Sequence, residues 1–243
     1  MHNDLSCYVI SLARSSDRRT AISVALAGIS IDFEFIDAVD ARMPFPPDLL
    51  ARIDRKGIQS RLGRTMSNGE IACAFSHSRA YDAFLNSTAS YALILEDDAI
   101  LTRELACFIT NGHYRARPMF VFYHSGARVL SRSQIRVFEG VDAYRPALSP
   151  AGAVGYTLDR ATAKRLRAAS EPLRGVADWP LDLSEIGAYV TWPMIVHHKP
   201  EASIEQSTLS AGRNRRRRRP IADYFTYDYL RRKYRKAISR RIS

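Results

Sequence analysis

The chain has 243 residues, 46% of them apolar, and a formal net charge of +11. This length fits one large α/β domain or two small ones, with enough apolar residues for a substantial core. No apolar stretch approaches the roughly 18 residues of a membrane span, and the N-terminus lacks the basic flank and apolar run of a signal peptide. The three cysteines, an odd number without metal-ligand spacing, predict neither a disulfide framework nor a zinc site. We therefore expect a soluble, cytoplasmic protein.

The net positive charge comes from the C-terminal residues. Residues 213–243 hold 13 of the 36 Lys and Arg but only two of the 25 Asp and Glu, so residues 1–212 are electrically neutral. We divide the chain accordingly into a body, residues 1–212, and a basic, aromatic tail, residues 213–243.

The body opens with a β-α-β pattern. Residues 7–12 predict a buried strand, residues 15–17 cap a helix over 18–27, and Gly28 ends that helix. Residues 33–36 predict the second strand.

A loop and a long helix come next. Residues 42–64 contain three prolines and predict a loop with one short helix at about 48–53. Ser67 and Glu70 form a capping box, and apolar residues at helical spacing follow it as far as Leu85.

Three further strands and another helix complete the predicted body. The strands cover 91–95, 119–124 and 153–158, and Asp159 caps a helix that runs to about Ala169. This alternation of strands and helices predicts an α/β fold.

Three consecutive acids end the apolar strand at 91–95. Such a strand is typically covered on both faces, and open α/β sheets bind ligands at the carboxyl ends of these strands. If the chain stays extended past Leu95, Glu96 and Asp98 project to the same side, because side chains alternate along a strand. Converging carboxylates repel, and Mg²⁺ or Mn²⁺ removes that penalty. The alternative is a solvated acidic turn.

Arginines surround the start of the first helix. Arg14, Arg18 and Arg19 lie where free backbone N–H groups and the helix dipole favour an anion, so a phosphate-bearing ligand fits there. No glycine-rich phosphate loop is present, and the alternative is an ordinary arginine-rich surface.

Four segments together resemble a known family. The chain contains, in this order, YVISLARSSDRR (8–19), FEFIDAVDA (33–41), GEIACAFSHSRAYDAF (69–84) and YALILEDDAIL (91–101). They are similar to glycosyltransferase family 25, the lipooligosaccharide glycosyltransferases. The similarity continues through residues 151–166, 178–179 and 204–210, and so covers nearly the whole body.

The resemblance implies a fold of the GT-A type, a single Rossmann-like mixed sheet flanked by helices, with residues 1–212 as the catalytic domain. It also implies an inverting, metal-dependent transfer of a hexose, usually galactose from UDP-galactose, to a glycan or glycolipid acceptor. Glu96 and Asp98 stand in the place of the outer acids of the family's metal motif, where they would bind Mn²⁺ or Mg²⁺. Glu in the first position leaves open whether Glu96 or Asp97 faces the metal.

The same resemblance implies where the nucleotide-sugar donor lies. It would lie along Ile10, Ser11, Leu12, Arg14 and Arg18, with Asp37 or Asp40 at the uridine and with His77 and Asp97 nearby. His77 has an alternative interpretation as a buried core histidine, and Glu70 is explained by the capping box. His197 or His198 is a candidate third metal ligand.

Asp178 is the predicted catalytic base. An inverting displacement needs a base that takes the proton of the acceptor hydroxyl on the face of the sugar opposite the leaving group. Asp178 follows a predicted strand and helix, and Asp182 is the second choice. Trp179 offers a flat apolar face to a sugar ring or packs in the core.

The tail mixes arginines with aromatic residues. Residues 215–219 are five consecutive arginines, and a second basic cluster spans 231–241 among tyrosines and Ile238. This mixture suits the headgroup region of an anionic bilayer, so we predict peripheral binding to the inner face of the cytoplasmic membrane. The alternative is a solvated, disordered arm.

Three other functions compete with the transferase. A nucleic-acid-binding protein would depend on the arginine arm, and we consider a nucleic-acid partner the weaker hypothesis. A phosphatase with an aspartate nucleophile would need Asp where Glu96 stands and Gly-Thr where Ala99 and Ile100 stand. A non-catalytic homologue of the family is the third.

Overall fold

The fold is built on one large mixed sheet. The computed structural model describes residues 4–176, 178–199 and 227–242, apart from the side chains of 227–229. In chain order the elements are β1 (Leu5–Ser11), α1 (Ser16–Ala27), β2 (Glu34–Asp37), α2 (Pro47–Ala51), α3 (Arg55–Leu62), α4 (Asn68–Asn86), β3 (Tyr91–Glu96), β4 (Ala99–Leu101), α5 (Arg103–Thr110), β5 (Met119–Val121), β6 (Ala127–Val129), β7 (Ile135–Phe138), β8 (Val141–Tyr144), β9 (Gly155–Asp159), α6 (Arg160–Ala169), β10 (Ala188–Trp192), β11 (Val196–His198), α7 (Tyr227–Ala237) and β12 (Arg240–Ile242).

The strand order explains where a ligand would bind. The sheet runs β2-β1-β3-β9-β5-β10-β8-β7, with β1 parallel to both β2 and β3 and β9 antiparallel to β3. The chain passes from β1 to β2 on one side and returns to β3 on the other, so the carboxyl ends of β1 and β3 flank a switch point. The predicted α/β class, with one mixed sheet flanked by helices, is confirmed.

Both faces of the sheet are covered by helices. Ala92 and Ile94 of β3 pack into a core with residues of α4 and α6, and Leu93 and Leu95 pack into a second core with α1 and α5. Side chains alternate along a strand, so a fully buried strand reads as a continuous apolar run. This is why residues 91–95 carry no polar side chain except the hydroxyl of Tyr91.

Helix α4 begins at the predicted capping box. The Ser67 hydroxyl accepts from the Glu70 backbone N–H, and the Glu70 carboxylate accepts from the Ser67 backbone N–H. Arg64 adds two hydrogen bonds to the same buried carboxylate, at 2.6 and 2.8 Å. Glu70 is therefore a structural residue, as the capping pattern indicates.

The loop predicted for 42–64 is wrong over α3. Asp54 caps this helix by accepting from the Gly57 N–H, and Gly63 ends it in the left-handed conformation with φ 68°. Both end signals are in the sequence, but the interior glycine lowers helix propensity and only Ile58 of the helix is buried. Weak amphipathicity therefore concealed the helix.

Several short strands were not predicted. They are β4, β6, β7, β8, β10, β11 and β12, each three to five residues long. The hairpin of β7 and β8 turns at Gly140, whose φ is 84°. Strands this short show little periodicity, and their pairing depends on partners distant in the chain.

The described part of the tail packs against the body. Strand β12 pairs antiparallel with β6, and Ile242 is buried in the core on the α4 side of the sheet. The arginine run at 215–219, the segment 204–210 and the division at 212 lie outside the described residues, so the domain division stays a prediction. No helix in the described ranges has the length and apolar content to cross a bilayer.

Arg160 ties the end of α4 to the start of α6. Its guanidinium donates to four backbone carbonyls, those of Phe84, Leu85, Ser87 and Ala89, at 2.6 to 3.2 Å. A positively charged donor at a helix C-terminus satisfies the free backbone carbonyls and interacts favourably with the helix dipole. We expect Arg160→Ala to lower the free energy of unfolding by about 2–3 kcal/mol, measured by urea titration.

Arg165 on the same helix provides the control for this prediction. It makes one long contact, 3.4 Å, to the Glu185 carbonyl. Arg165→Ala should change stability by less than about 0.5 kcal/mol. Equal losses in the two variants would contradict the assigned role of Arg160.

Asp4 predicts a pH dependence of stability. Hydrogen bonds from Arg115 (2.7 Å) and from the Tyr114 hydroxyl (2.8 Å) lower the pKa of Asp4 to about 2. A lowered carboxyl pKa stabilises the fold above the usual value near 4, and this stabilisation is lost as the pH falls through 2. Because the pair is about one-third exposed, we expect Asp4→Asn to cost about 1 kcal/mol at neutral pH.

The loss of unfolding free energy in Asp4→Asn should be roughly half as large at pH 3. This pH lies between the folded and unfolded pKa values of Asp4, so part of the stabilisation from the lowered pKa is already lost. Urea titrations at neutral pH and at pH 3 measure it. Arg115→Gln is the matched variant and should show the same pH trend. A deficit that stays constant with pH would contradict the assignment.

Candidate functional site

The candidate site lies at the carboxyl ends of β1 and β3. The Ser11 hydroxyl, at the end of β1, donates to an Asp97 carboxylate oxygen at 2.7 Å. The Asp97 backbone N–H donates to the Ile10 carbonyl at 3.1 Å. Two segments 86 residues apart are thereby joined at the switch point of the sheet.

The three acids do not follow an extended chain. Glu96 is the last residue of β3, and Asp97 and Asp98 form a turn before β4. Glu96 contacts His77 of α4, on one face of the sheet, whereas Asp97 and Asp98 both approach Arg18 of α1, on the other face. The expectation that Glu96 and Asp98 project to the same side is therefore wrong, because the turn reverses the alternation. Their role as metal ligands stays a prediction.

Asp97 is a buried carboxylate. Burial raises its pKa, while the Ser11 hydroxyl and the Arg18 guanidinium, 3.2 Å away, lower it, and the neighbouring charge of Asp98 raises it. The net direction is upward. Two adjacent buried acids thus repel each other, and one arginine only partly offsets that repulsion.

Asp98 has the environment that suits a cation. Its Oδ2 lies 3.8 Å from Arg18 Nη1 and 3.2 Å from His198 Nε2, in β11. Its Oδ1 is buried and accepts no hydrogen bond from any residue in the described ranges. A buried carboxylate oxygen without a donor is costly, and a hard divalent cation is a ligand that would satisfy it. Of the two candidate third ligands, His198 lies beside the acids and His197 is exposed.

Glu96 belongs to a buried polar network on the α4 side. His77 Nε2 lies 3.1 Å from Glu96 Oε1, His77 Nδ1 lies 2.9 Å from the Tyr156 hydroxyl, and that hydroxyl lies 3.2 Å from the Tyr81 hydroxyl. An ionised Glu96 is satisfied when His77 donates through Nε2 and accepts at Nδ1. The buried His77 therefore orients the Glu96 side chain from the α4 side of the sheet.

Cys73 completes a potential ligand cluster with these residues. Its sulfur lies 3.9 Å from Glu96 Oε1, and Cys73, His77 and Glu96 offer ligand atoms within 4.8 Å of one another. Thiol and imidazole favour zinc over Mg²⁺ or Mn²⁺. The hydrogen bond of His77 already accounts for its contact with Glu96, so this cluster does not by itself indicate a zinc site.

The predicted nucleotide-binding residues converge on the same edge of the sheet. Arg14 pairs with Asp40 at 2.7 Å and lowers the pKa of that carboxyl. Arg19 pairs with Asp37 and donates to the Ser11 carbonyl. Ile10 does not face the site, since its side chain is buried in the core on the α4 side.

One region, at the ends of β1 and β2 and the start of α1, thus contains most of the predicted nucleotide-binding residues. They are Ser11, the half-buried Leu12, Arg14, Arg18, Asp37, Asp40 and Asp97. The arginine side chains and the backbone N–H groups at the start of α1 can bind a diphosphate. The carboxylates of Asp37 and Asp40 can accept hydrogen bonds from sugar hydroxyls. Binding itself stays a prediction.

The two candidate bases differ in their surroundings. The negative charge of Asp178 contributes, after burial and Glu96, to raising the pKa of the Cys73 thiol, so Asp178 lies within electrostatic range of Cys73. The Asp182 carboxylate instead caps the 3₁₀ helix Leu183–Glu185 and pairs with Arg235 of α7 at 2.9 Å. Asp182 therefore has a structural role, and Asp178 is the better candidate.

Trp179 does not offer its face to a sugar. It is buried, its indole N–H donates to the Pro150 carbonyl at 2.7 Å, and its ring packs edge-on against Tyr156. Of its two interpretations, core packing is the one that the structure supports.

Sequence reasoning missed Cys73 and Tyr156 as members of the network around Glu96. Cys73 and His77 are four residues apart in α4, a spacing that places them on one helix face. Arg19, at the predicted anion position, pairs with Asp37. Nothing in the sequence indicates that Tyr156, on β9, approaches His77.

Comparison with protein families identifies this arrangement. The model of Glycosyltransferase family 25 (LPS biosynthesis protein) matches residues 4–184, which include every predicted site residue up to Asp182. The match therefore spans the sheet edge, the acids and the segment with the candidate bases.

Two bacterial relatives and one mammalian relative illustrate the range of the family. "Lipooligosaccharide biosynthesis protein lic2B" of Haemophilus influenzae is 26% identical over 169 residues, and a "Putative glycosyltransferase" of the same species is 28% identical over 189 residues. These alignments cover 66% and 76% of the chain, and the chain spans 62% of the length of each relative. The bovine "Probable inactive glycosyltransferase 25 family member 3" is 30% identical over 69% of the chain and 29% of its own length.

Proposed function

Because the chain belongs to glycosyltransferase family 25, we propose that it is an inverting, metal-dependent transferase of the GT-A type. It moves a hexose, galactose in this proposal, from a UDP-sugar to a hydroxyl of a lipooligosaccharide or another cell-surface glycan. The bacterial relative named for lipooligosaccharide biosynthesis supports this acceptor class. The buried Oδ1 of Asp98 at the switch point, which has no hydrogen-bond donor among the described residues, is the single observation that carries the metal-dependent proposal.

The arginines at the start of α1 supply the contacts for the donor. Arg18, in the first turn of α1, lies 3.2 Å from Asp97 and 3.8 Å from Asp98, so its guanidinium can bind an anionic diphosphate in place of these carboxylates. Arg14 and Arg19 hold Asp40 and Asp37 in place beside it. These acids then accept hydrogen bonds from the ribose and base of the nucleotide.

The residues that would hold Mn²⁺ or Mg²⁺ are Asp98 and His198 together with Asp97, which faces the same side, or with Glu96, whose side chain would have to turn from His77 toward Asp98. Oxygen and imidazole ligands suit Mn²⁺. When bound, a divalent cation stabilises the negative charge that develops on the leaving diphosphate.

Asp178 serves as the base. Its carboxylate takes the proton of the acceptor hydroxyl as that oxygen bonds to the sugar carbon and the bond to the diphosphate breaks. Asp178 lies in the segment that follows α6, so the acceptor is expected to approach over that segment.

A thermal-shift panel tests the proposal. The protein is heated with UDP-galactose, UDP-glucose, GDP-mannose or UDP alone, each with and without Mn²⁺. At ligand concentrations about 100 times Kd, binding adds about 2.7 kcal/mol, which raises Tm by roughly 5–10 °C for a chain of this size. We expect the shift for a UDP-sugar and only with Mn²⁺. The proposal fails if no nucleotide shifts Tm.

A non-catalytic family member is the second candidate function. The relative of 30% identity that is named probably inactive favours it. Donor hydrolysis with Mn²⁺ separates the two, because an active transferase releases UDP slowly in the absence of acceptor. Binding without any UDP release or transfer would support the non-catalytic alternative.

A further inference from the structure

Helix α7 and the residue that follows it carry an apolar stripe that is largely exposed within the described part of the chain. Leu230, Tyr234 and Ile238 are 55%, 66% and 49% exposed. A spacing of four residues places Leu230 and Tyr234 on one side of the helix, and Ile238, just past its end, continues that side because its backbone N–H donates to the Tyr234 carbonyl at 3.1 Å. Large exposed side chains that line up in this way indicate a contact surface, whereas scattered ones need no explanation.

Ion pairs between α7 and the body, together with the pairing of β12, fix the orientation of the stripe. Arg231 pairs with Glu185 at 2.5 Å, and Arg235 pairs with Asp182 at 2.9 Å and also contacts Ser184. After the helix, β12 pairs with β6 and buries Ile242. The side of α7 that faces the body is therefore polar, and the apolar stripe cannot turn inward without breaking these ion pairs.

The surroundings of the stripe are strongly basic. Residues 227–242 contain seven Lys and Arg and a single acid, Asp228. Lys233, three residues after Leu230, adjoins the stripe, and Arg232, Lys236, Arg240 and Arg241 are exposed. A helix is about 10 Å across, close to the Debye length in physiological salt, so even the basic residues on its far side attract an anionic surface.

We propose that this α7 face, defined as Leu230, Tyr234 and Ile238 with the basic residues around them, docks on an anionic lipid bilayer. The stripe enters the boundary between headgroups and acyl chains, where Tyr places its ring in the apolar layer and its hydroxyl in the polar one. The lysines and arginines bind the lipid phosphates. Nucleic acid would attract the positive charge and could stack on Tyr234, but it offers the aliphatic Leu230 and Ile238 no apolar layer.

Helix α7 contacts the segment that follows the proposed base. Arg231 and Arg235 form ion pairs with residues 182–185, four to seven positions after Asp178. In this proposal the bilayer therefore binds at a helix that contacts the segment over which the acceptor is expected to approach. The docking itself does not require transfer, so it can fail while the proposed activity holds, and the reverse is equally true.

Vesicle flotation with the full chain tests the docking. The vesicles are phosphatidylcholine alone or phosphatidylcholine with phosphatidylglycerol, and no nucleotide or metal is added. We expect binding to the anionic vesicles, weak binding to the neutral ones, and a loss of binding with added salt. Binding to an oligonucleotide but not to anionic vesicles, or equal binding to both kinds of vesicle, would overturn the proposal.

A triple variant, Leu230→Ser, Tyr234→Ser and Ile238→Ser, assigns the binding to this face. It keeps every positive charge of the tail, and we expect it to bind anionic vesicles at least about tenfold more weakly. The matched control replaces three exposed apolar residues elsewhere, Val24, Met43 and Leu50, with serine and should bind like the original chain. Circular dichroism of both variants checks that they fold. Full binding by the folded stripe variant would show that charge alone is responsible and overturn the proposal.

Discussion

Asp178→Asn is expected to lower kcat for hexosyl transfer by roughly 10²–10⁴, because an amide cannot take the proton of the acceptor hydroxyl. The variant should keep the Mn²⁺-dependent thermal shift with the UDP-sugar, since the arginines of α1 and the acids after β3 remain. Asn has nearly the shape of Asp, so the packing beside Cys73 should also remain. Initial rates with saturating donor and acceptor measure the effect.

Asp182→Asn is the comparison that separates the two candidate bases. The Asp182 carboxylate caps residues 183–185 and pairs with Arg235, so its loss should cost about 1 kcal/mol of stability. Its kcat should stay within about threefold of the original, because no proton transfer is assigned to it. A large kcat loss in Asp182→Asn together with a small one in Asp178→Asn would reverse the assignment.

Asp98→Asn is expected to abolish the Mn²⁺ dependence of donor binding. The substitution removes the charge at the one carboxylate of the turn whose Oδ1 lacks a hydrogen-bond donor among the described residues. An amide is a weaker ligand for a hard cation than a carboxylate is. A bound cation stabilises the negative charge on the departing diphosphate by several kcal/mol. The rate of hexosyl transfer should therefore fall by about 10³ or more.

Direct Mn²⁺ titration, followed by the electron paramagnetic resonance signal of the free ion, measures the metal affinity without catalysis. Asp82→Asn is the control, since Asp82 is a half-exposed carboxylate on α4 that pairs with Arg167. Glu96→Gln tests the first acid in the same assay, with His77 still in place to hold the side chain. Equal Mn²⁺ affinity in the original chain and in Asp98→Asn would exclude Asp98 as a ligand.

The long elements were predictable because their signals are local. The capping box at Ser67 and the cap at Asp159 both form as the sequence indicates, and α1 begins and ends within two residues of its predicted bounds. The continuous apolar run at 91–95 correctly predicts a strand buried on both faces. Helices α3, α5 and α7 were not predicted, and α3 was missed because it buries a single residue. The short strands were missed because their pairing partners are distant in the chain.

The site shows the same division. The sequence places three acids after a buried strand and arginines at a helix start, and the ends of parallel strands bring them together. It does not show that the chain turns at Asp97, so that Glu96 faces α4 while Asp97 and Asp98 face α1. Nor does it show that His198 arrives beside Asp98 through the pairing of β11 with β4.

By itself, therefore, the sequence determined the α/β class, the long helices, the acid-ended strand, the uneven charge and the family. Those properties depend on composition, periodicity and short spacings along the chain. Only the tertiary structure decided which carboxylate oxygen of the turn lacks a hydrogen-bond donor among the described residues, which aspartate is bound by Arg235 and which side of α7 stays exposed. Each of these depends on contacts between residues that are far apart in the chain, and such contacts form only when the sheet and its helices pack.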